Sequence, residues 1–109
     1  MEFIAISFLR ELTAEADLLA QLARLCEQLE KRRAEQQVIG YTLTVRLKFA
    51  DGTAKSRSRT VGRPLAGATV IHKMATQLLA SIERADRPVR LPGLVLASLK
   101  ADRRDTASE

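Results

Sequence analysis

The chain reads as an α+β domain of βαββαβ order, a four-stranded antiparallel sheet with two helices packed on one face. Three observations predict it. Two segments carry leucine and isoleucine at helical spacing, each giving one apolar stripe. A central stretch, YTLTVRLKFADGTAKSRSRTV, alternates apolar and polar residues on either side of an Asp-Gly turn. Single apolar-rich strands stand at both ends. Each helix has one face to bury and the hairpin has one apolar face, so both helices belong on that face and the other stays open.

Glu2 to Phe8 is the first strand, with Ile4, Ile6 and Phe8 on one side. Thr13 can cap the helix that follows, and Glu15 and Asp17 suit its positive end. Leu18, Leu22, Leu25 and Leu29 form its stripe, with Leu19 and Cys26 beside it. Lys31, Arg32 and Arg33 suit its negative end, and the helix closes before Gly40. Gly62-Arg63-Pro64 breaks the hairpin's second strand. A second helix runs from about Thr69 to Arg84, with Ile71, Met74, Ala75, Leu78 and Ile82 on one face. The segment from Asp86 to Pro88 ends it. A last strand, Val89 to Leu99, contains Pro92-Gly93, which calls for an edge, a bulge or a kink. The domain is expected over residues 1–100, with 101–109 a disordered polar tail.

With 109 residues the chain has room for one modest core. Its net charge of +5 is uneven. Residues 1–40 carry −2, residues 41–60 carry +4, residues 61–92 carry +3, and the rest are neutral. Positive charge gathered in one region points to a polyanion, either nucleic acid or an acidic membrane surface. A lone Cys26 makes no internal disulfide. No apolar run reaches the roughly 20 residues that span a bilayer, and the start is not a secretory signal. A soluble cytoplasmic monomer is expected.

If Asp51-Gly52 is a two-residue loop, Lys48 faces Lys55, Arg46 faces Arg57 and Thr44 faces Arg59. Alternation then puts Arg46, Lys48, Lys55, Arg57 and Arg59 together on the face away from the core. Like charges directly opposed destabilise a strand pair. One reading is a solvated face whose long stems cover apolar surface. The favoured reading is a phosphate-binding sheet, because an anionic partner relieves the repulsion.

Catalytic signals are lacking. His72 stands alone beside the second helix's stripe and Cys26 sits next to the first, so a metal site or a thiol nucleophile is not expected. The carboxylates lie mainly on the first helix and in the tail, the pattern of a solvated helix face. No glycine-rich phosphate loop occurs. A binding module is the expectation.

Ser56-Arg57-Ser58-Arg59-Thr60, after the strand Thr42 to Phe49, resembles the little finger domain of Y-family translesion DNA polymerases of the DNA polymerase IV type. Val89-Arg90-Leu91-Pro92-Gly93-Leu94 with Ser98-Leu99 resembles that family's closing strand, and Ser7 with Arg10 to Thr13 its opening one. The similarity covers roughly residues 3 to 99. It implies the little-finger, reversed ferredoxin-like fold. It also implies a sheet that grips the phosphates of double-stranded primer/template DNA during lesion bypass and DNA repair, tethered to a polymerase catalytic core. Carried over by position, Ser56, Arg57, Ser58, Arg59, Thr60 and Arg90 are the DNA contacts, with Ser7, Arg10 and Thr13 as further candidates. Arg46, Lys48 and Lys55 come from the hairpin geometry alone.

Gly52 departs from the phenylalanine common at its position, Leu9 from a glycine, and Pro92 from an apolar or basic residue. The tail from Lys100 to Glu109 has no apolar peptide of the kind that docks on a sliding clamp, so clamp binding is not carried over. The metal-binding carboxylates of a polymerase palm are absent. This chain alone is therefore expected not to polymerise DNA. No cofactor is assigned to it, since magnesium would belong to the absent core. Two alternatives stay open: a protein-interaction module that docks an acidic partner, and an RNA-binding domain of related order, disfavoured because its exposed strands lack the usual aromatic pairs.

Overall fold

The computed structural model describes residues 3–7, 15–84 and 88–102. Within them run β1 (Phe3–Ser7), α1 (Glu15–Gln36), β2 (Val38–Ile39), β3 (Thr42–Phe49), β4 (Ala54–Thr60), α2 (Ala68–Ala80), β5 (Val89–Ala97) and β6 (Lys100–Ala101). The expected βαββαβ core is present as an antiparallel sheet of order β1-β5-β3-β4. A separate two-stranded sheet, β2 with β6, is added to it.

The leucine stripe of α1 is buried from Leu18 to Leu29. It meets Ile71, Ala75, Leu78 and Leu79 of α2, and Ile4, Ile6, Leu43, Val45, Leu47, Phe49, Leu94 and Leu96 of the sheet. Gln37 follows α1 at φ 56, the left-handed residue that commonly ends a helix. At the other helix, Arg84 reaches back to donate to the Leu79 carbonyl at 2.6 Å, satisfying an end that would otherwise lack partners.

Pro92 lies in a central strand, not at an edge. The register between β3 and β5 shifts between Lys48 and Phe49: Lys48 pairs Leu91 but Phe49 pairs Val89. Arg90 is thus the extra residue of a bulge. Bonded pairs alternate along an antiparallel ladder, and on β3 the residues not turned toward β4 are the even ones. The Leu47–Pro92 pair falls between bonded pairs, so the missing N–H removes nothing from the β3–β5 ladder.

An ion-pair network around a buried arginine ties the end of α1 to the start of α2 and to the residue after β6. Arg33 is 6% exposed. Its guanidinium grips both Glu30 carboxylate oxygens (2.7 and 2.6 Å) and donates to the Val38 carbonyl (3.0 Å) and to Asp102 (3.1 Å). Glu30 in turn accepts the Gly67 N–H at 2.7 Å, at the start of α2. Hydrogen bonds to both carboxylates, led by Glu30, hold the Arg33 proton more firmly than usual. Two residues expected in the tail are structured, Ala101 in β6 and Asp102 in this network; the rest of the expected tail lies outside the described residues.

Candidate nucleic-acid interface

The β3–β4 hairpin corrects the expected register by one residue. Its loop has three residues, not two. Gly52 donates to the Phe49 carbonyl (3.0 Å), closing a turn through Ala50 and Asp51, and then takes φ 91. The Asp51 carboxylate accepts the Thr53 N–H (2.9 Å) and hydroxyl (2.6 Å), fixing that geometry. A one-residue slip moves every β4 side chain to the other face. Lys48 therefore faces Ala54, Arg46 faces Ser56, Thr44 faces Ser58 and Thr42 faces Thr60, while Lys55, Arg57 and Arg59 face Leu47, Val45 and Leu43.

The five cations accordingly do not share a surface. Arg46 and Lys48 stand on the open face. Lys55, Arg57 and Arg59 stand on the helix side of β4, beyond the reach of the core, where α2 leaves the strand exposed. The opposed like charges expected from the two-residue loop are thereby avoided. Each β4 cation is held by an uncharged acceptor: Lys55 by the Glu83 carbonyl (3.1 Å), Arg57 by the Ser56 carbonyl (2.9 Å), Arg59 by the Gln77 side-chain oxygen (3.5 Å). None of the three has a carboxylate partner among the described residues.

The open face is built of rows that cross all four strands. From β1 to β4 they read Phe3–Ala97–Thr42–Thr60, Ala5–Val95–Thr44–Ser58 and Ser7–Gly93–Arg46–Ser56. The β1–β5 half is small and largely apolar, with Phe3 56% exposed at the edge. The β3–β4 half carries hydroxyls and cations. Thr42 shares hydrogen bonds with Thr60 (2.9 Å) and Ser98 (2.8 Å), and Thr44 with Ser58 (2.5 Å). Sequence reasoning named Ser56, Ser58 and Thr60 but missed their partners Thr42 and Thr44; the signal was Thr at alternate positions where β3 begins. Where the halves meet, a depression of about 250 Å³ opens beside Arg46 and Lys48.

β4 is also an open edge. Phe49 N–H donates to Thr53 (2.8 Å) and Val61 N–H to Tyr41 (2.9 Å), so odd-numbered β4 residues bond β3. The backbone N–H and C=O of Ser56 and Ser58 therefore point outward. Along this edge the outward amides run between the Ser56 and Ser58 hydroxyls on the open face and the Lys55, Arg57 and Arg59 side chains on the other. Thr60 and Ser7 lie on the open face, and Arg90 is exposed at the bulge. Arg10 and Thr13 lie outside the described residues.

Catalytic groups do not gather here. Among the described residues no cluster of His, Cys, Asp and Glu could hold a metal ion, and no helix is long and apolar enough to cross a membrane. His72 is exposed on α2. Cys26 is buried, and burial, aided by the charge of Glu27, pushes its thiol up to about 12.

Residues 4–108 match the model of the impB/mucB/samB family C-terminal domain. DNA polymerase IV 2 of Agrobacterium fabrum is 40% identical over 83 residues, 76% of this chain and 23% of that protein. DNA polymerase IV of Alkalilimnicola ehrlichii is 31% identical over 93 residues, 85% of this chain and 26% of that protein. The chain thus spans about a quarter of the length of these relatives. A solved structure described as a complex of the beta-clamp processivity factor and the little finger domain of PolIV superposes with a TM-score of 0.70. It is 21% identical and covers 87% of this chain and 86% of its own. The chain belongs to the impB/mucB/samB C-terminal domain family, the little finger domain of Y-family polymerases of the DNA polymerase IV type.

Proposed function

We propose that this domain grips duplex primer/template DNA by its phosphates, without sequence preference, and performs no chemistry itself. The observation that carries this reading is the β4 strip: outward amides and hydroxyls of Ser56 and Ser58, flanked by cations with no carboxylate partner. Amides and hydroxyls give phosphate oxygens directional donors, and Arg46, Lys48, Lys55, Arg57 and Arg59 give the field. Thr60 continues the strip along β4, while Ser7 on β1 and Arg90 on β5 would add contacts elsewhere on the sheet; Arg10 and Thr13 remain candidates by resemblance. Such contacts position a duplex but read no bases. Catalysis during lesion bypass, with its magnesium, would then belong to a polymerase core of the kind that makes up the rest of the relatives, in the cytoplasm.

About five neutralised phosphates give log K a slope near −4.5 against log salt. Binding of the 109-residue chain to a blunt duplex, followed by fluorescence anisotropy between about 50 and 200 mM salt, tests this. A flat line refutes it, and so does wild-type affinity in an Arg57→Ala/Arg59→Ala double variant.

The sliding clamp, set aside on the tail alone, returns as a second partner. A solved domain of the same fold occurs in complex with the beta clamp, which supports a clamp as a partner of this domain as well. Co-elution of this chain with a bacterial clamp checks the point.

A further inference from the structure

We infer that the depression on the open face is a subsite for the sugar–phosphate unit of one nucleotide, and that Ala5, Gly93 and Val95 set its shape. The inference rests on the DNA-binding reading above and deepens it.

The row Ser7–Gly93–Arg46–Ser56 explains why the depression exists. Gly93 contributes no side chain at the centre of the sheet, and Arg46 has only small neighbours on either side. Glycine inside a strand marks a place where something approaches the backbone closely. Part of the explanation is internal: a Cβ at Gly93 would lie 3.3 Å from the Ile6 carbonyl oxygen and 3.5 Å from the Ser7 Cβ. The result is a floor at backbone level, bounded by Ala5 and Val95 on one side and by Arg46 and Lys48 on the other, with Ser7 at the end.

That pairing of surfaces selects a ligand chemistry. Neither Arg46 nor Lys48 has an ion-pair partner among the described residues, so their charges are available to a phosphate. The apolar floor beside them suits the C–H groups of a small saturated ring, and the deoxyribose of a nucleotide presents these directly beside its phosphate. A bare inorganic anion would leave the floor wet. An apolar peptide would leave the cations unpaired. A nucleotide's sugar–phosphate meets both, and its sugar would sit where any longer side chain at Ala5 or Val95 would lift it away.

Shape and charge separate experimentally through the salt dependence. Arg46→Ala removes a phosphate contact, so the salt slope falls by about one. Ala5→Leu fills the floor without removing a charge. The expected result with the full chain and a blunt DNA duplex is roughly tenfold weaker binding at an unchanged slope. Val95→Leu should act in the same direction, while Phe3→Leu, at the exposed edge outside the depression, should bind as wild type. Thermal melts of each variant show that the fold is retained. If Ala5→Leu and Val95→Leu both bind like wild type, or weaken binding with a shallower slope, the subsite is refuted. If wild type itself binds no duplex, the DNA-binding reading fails first, and the two failures are thereby distinct. Equal loss for a duplex and for an acidic peptide of matched charge would refute the nucleotide assignment in favour of a protein partner.

Discussion

Replacing Arg33 by methionine should cost this domain about 3 kcal/mol. The change keeps volume and helix propensity but deletes a guanidinium that makes four hydrogen bonds, two to Glu30 and one each to Val38 and Asp102. Breaking a buried pair by removing one partner typically costs about 3–5 kcal/mol, because the other charge is left without compensation. The lower end applies here, since the Glu30 and Asp102 side chains retain 22% and 13% exposure and Glu30 keeps the Gly67 N–H. Against a total stability of roughly 5–15 kcal/mol for a domain of this size, that is a large fraction. The melting temperature should fall by roughly 15 °C. Urea unfolding gives the loss directly, with the midpoint lowered and the slope unchanged. The triple variant Glu30→Gln/Arg33→Met/Asp102→Asn should lose less than the single one, because no charge is then stranded. A loss under about 1 kcal/mol for Arg33→Met, or a triple variant worse than the single, refutes the network as a stabilising hub.

Gly52→Ala should lose about 1 kcal/mol, since the loss comes only from holding alanine at φ 91; no atom crowds a Cβ there, and urea titration against Gly52→Asn, which tolerates that conformation better, checks it. Cys26 should resist alkylation at neutral pH until the protein unfolds. Its raised thiol value also gives a pH signature: the stabilising contribution is complete below the ordinary value near 9 and is lost as pH rises toward about 12. Thiolate absorbance followed with unfolding across that window tests the sign.

The helices and the sheet's composition were legible because their periods are unambiguous. Leu18, Leu22, Leu25 and Leu29, and Ile71, Ala75, Leu78 and Ile82, repeat at helical spacing and are buried as read, while Met74 is only partly buried and Leu79 joins the core unforeseen. The hairpin was legible too, but its register was not. Asp51-Gly52 fits a two-residue loop and also the last two positions of a three-residue one; the choice lies in hydrogen bonds from Thr53 to Asp51. The opposed pairs Lys48–Lys55 and Arg46–Arg57 were the warning, since real pairing replaces them with Lys48–Ala54 and Arg46–Ser56. β2 and β6 have two residues each, too few for any periodicity to show. Arg33 was read as a helix-end cation. Its place four residues after Leu29, on the same face, carried the contrary signal. The depression was hidden because it is made by what Gly93 lacks.

The outward backbone of β4 has a consequence for the molecule in isolation. An edge strand with unsatisfied amides is a template for pairing with another copy of itself, and natural sheets guard such edges with charge. Lys55, Arg57 and Arg59 repeat at every second position along that strand, so two copies brought edge to edge would set like charges against one another. The cations that would attract a polyanion also repel a twin. Discharging them should therefore change solubility before it changes the fold, and the same three residues would keep the edge free until a partner covers it.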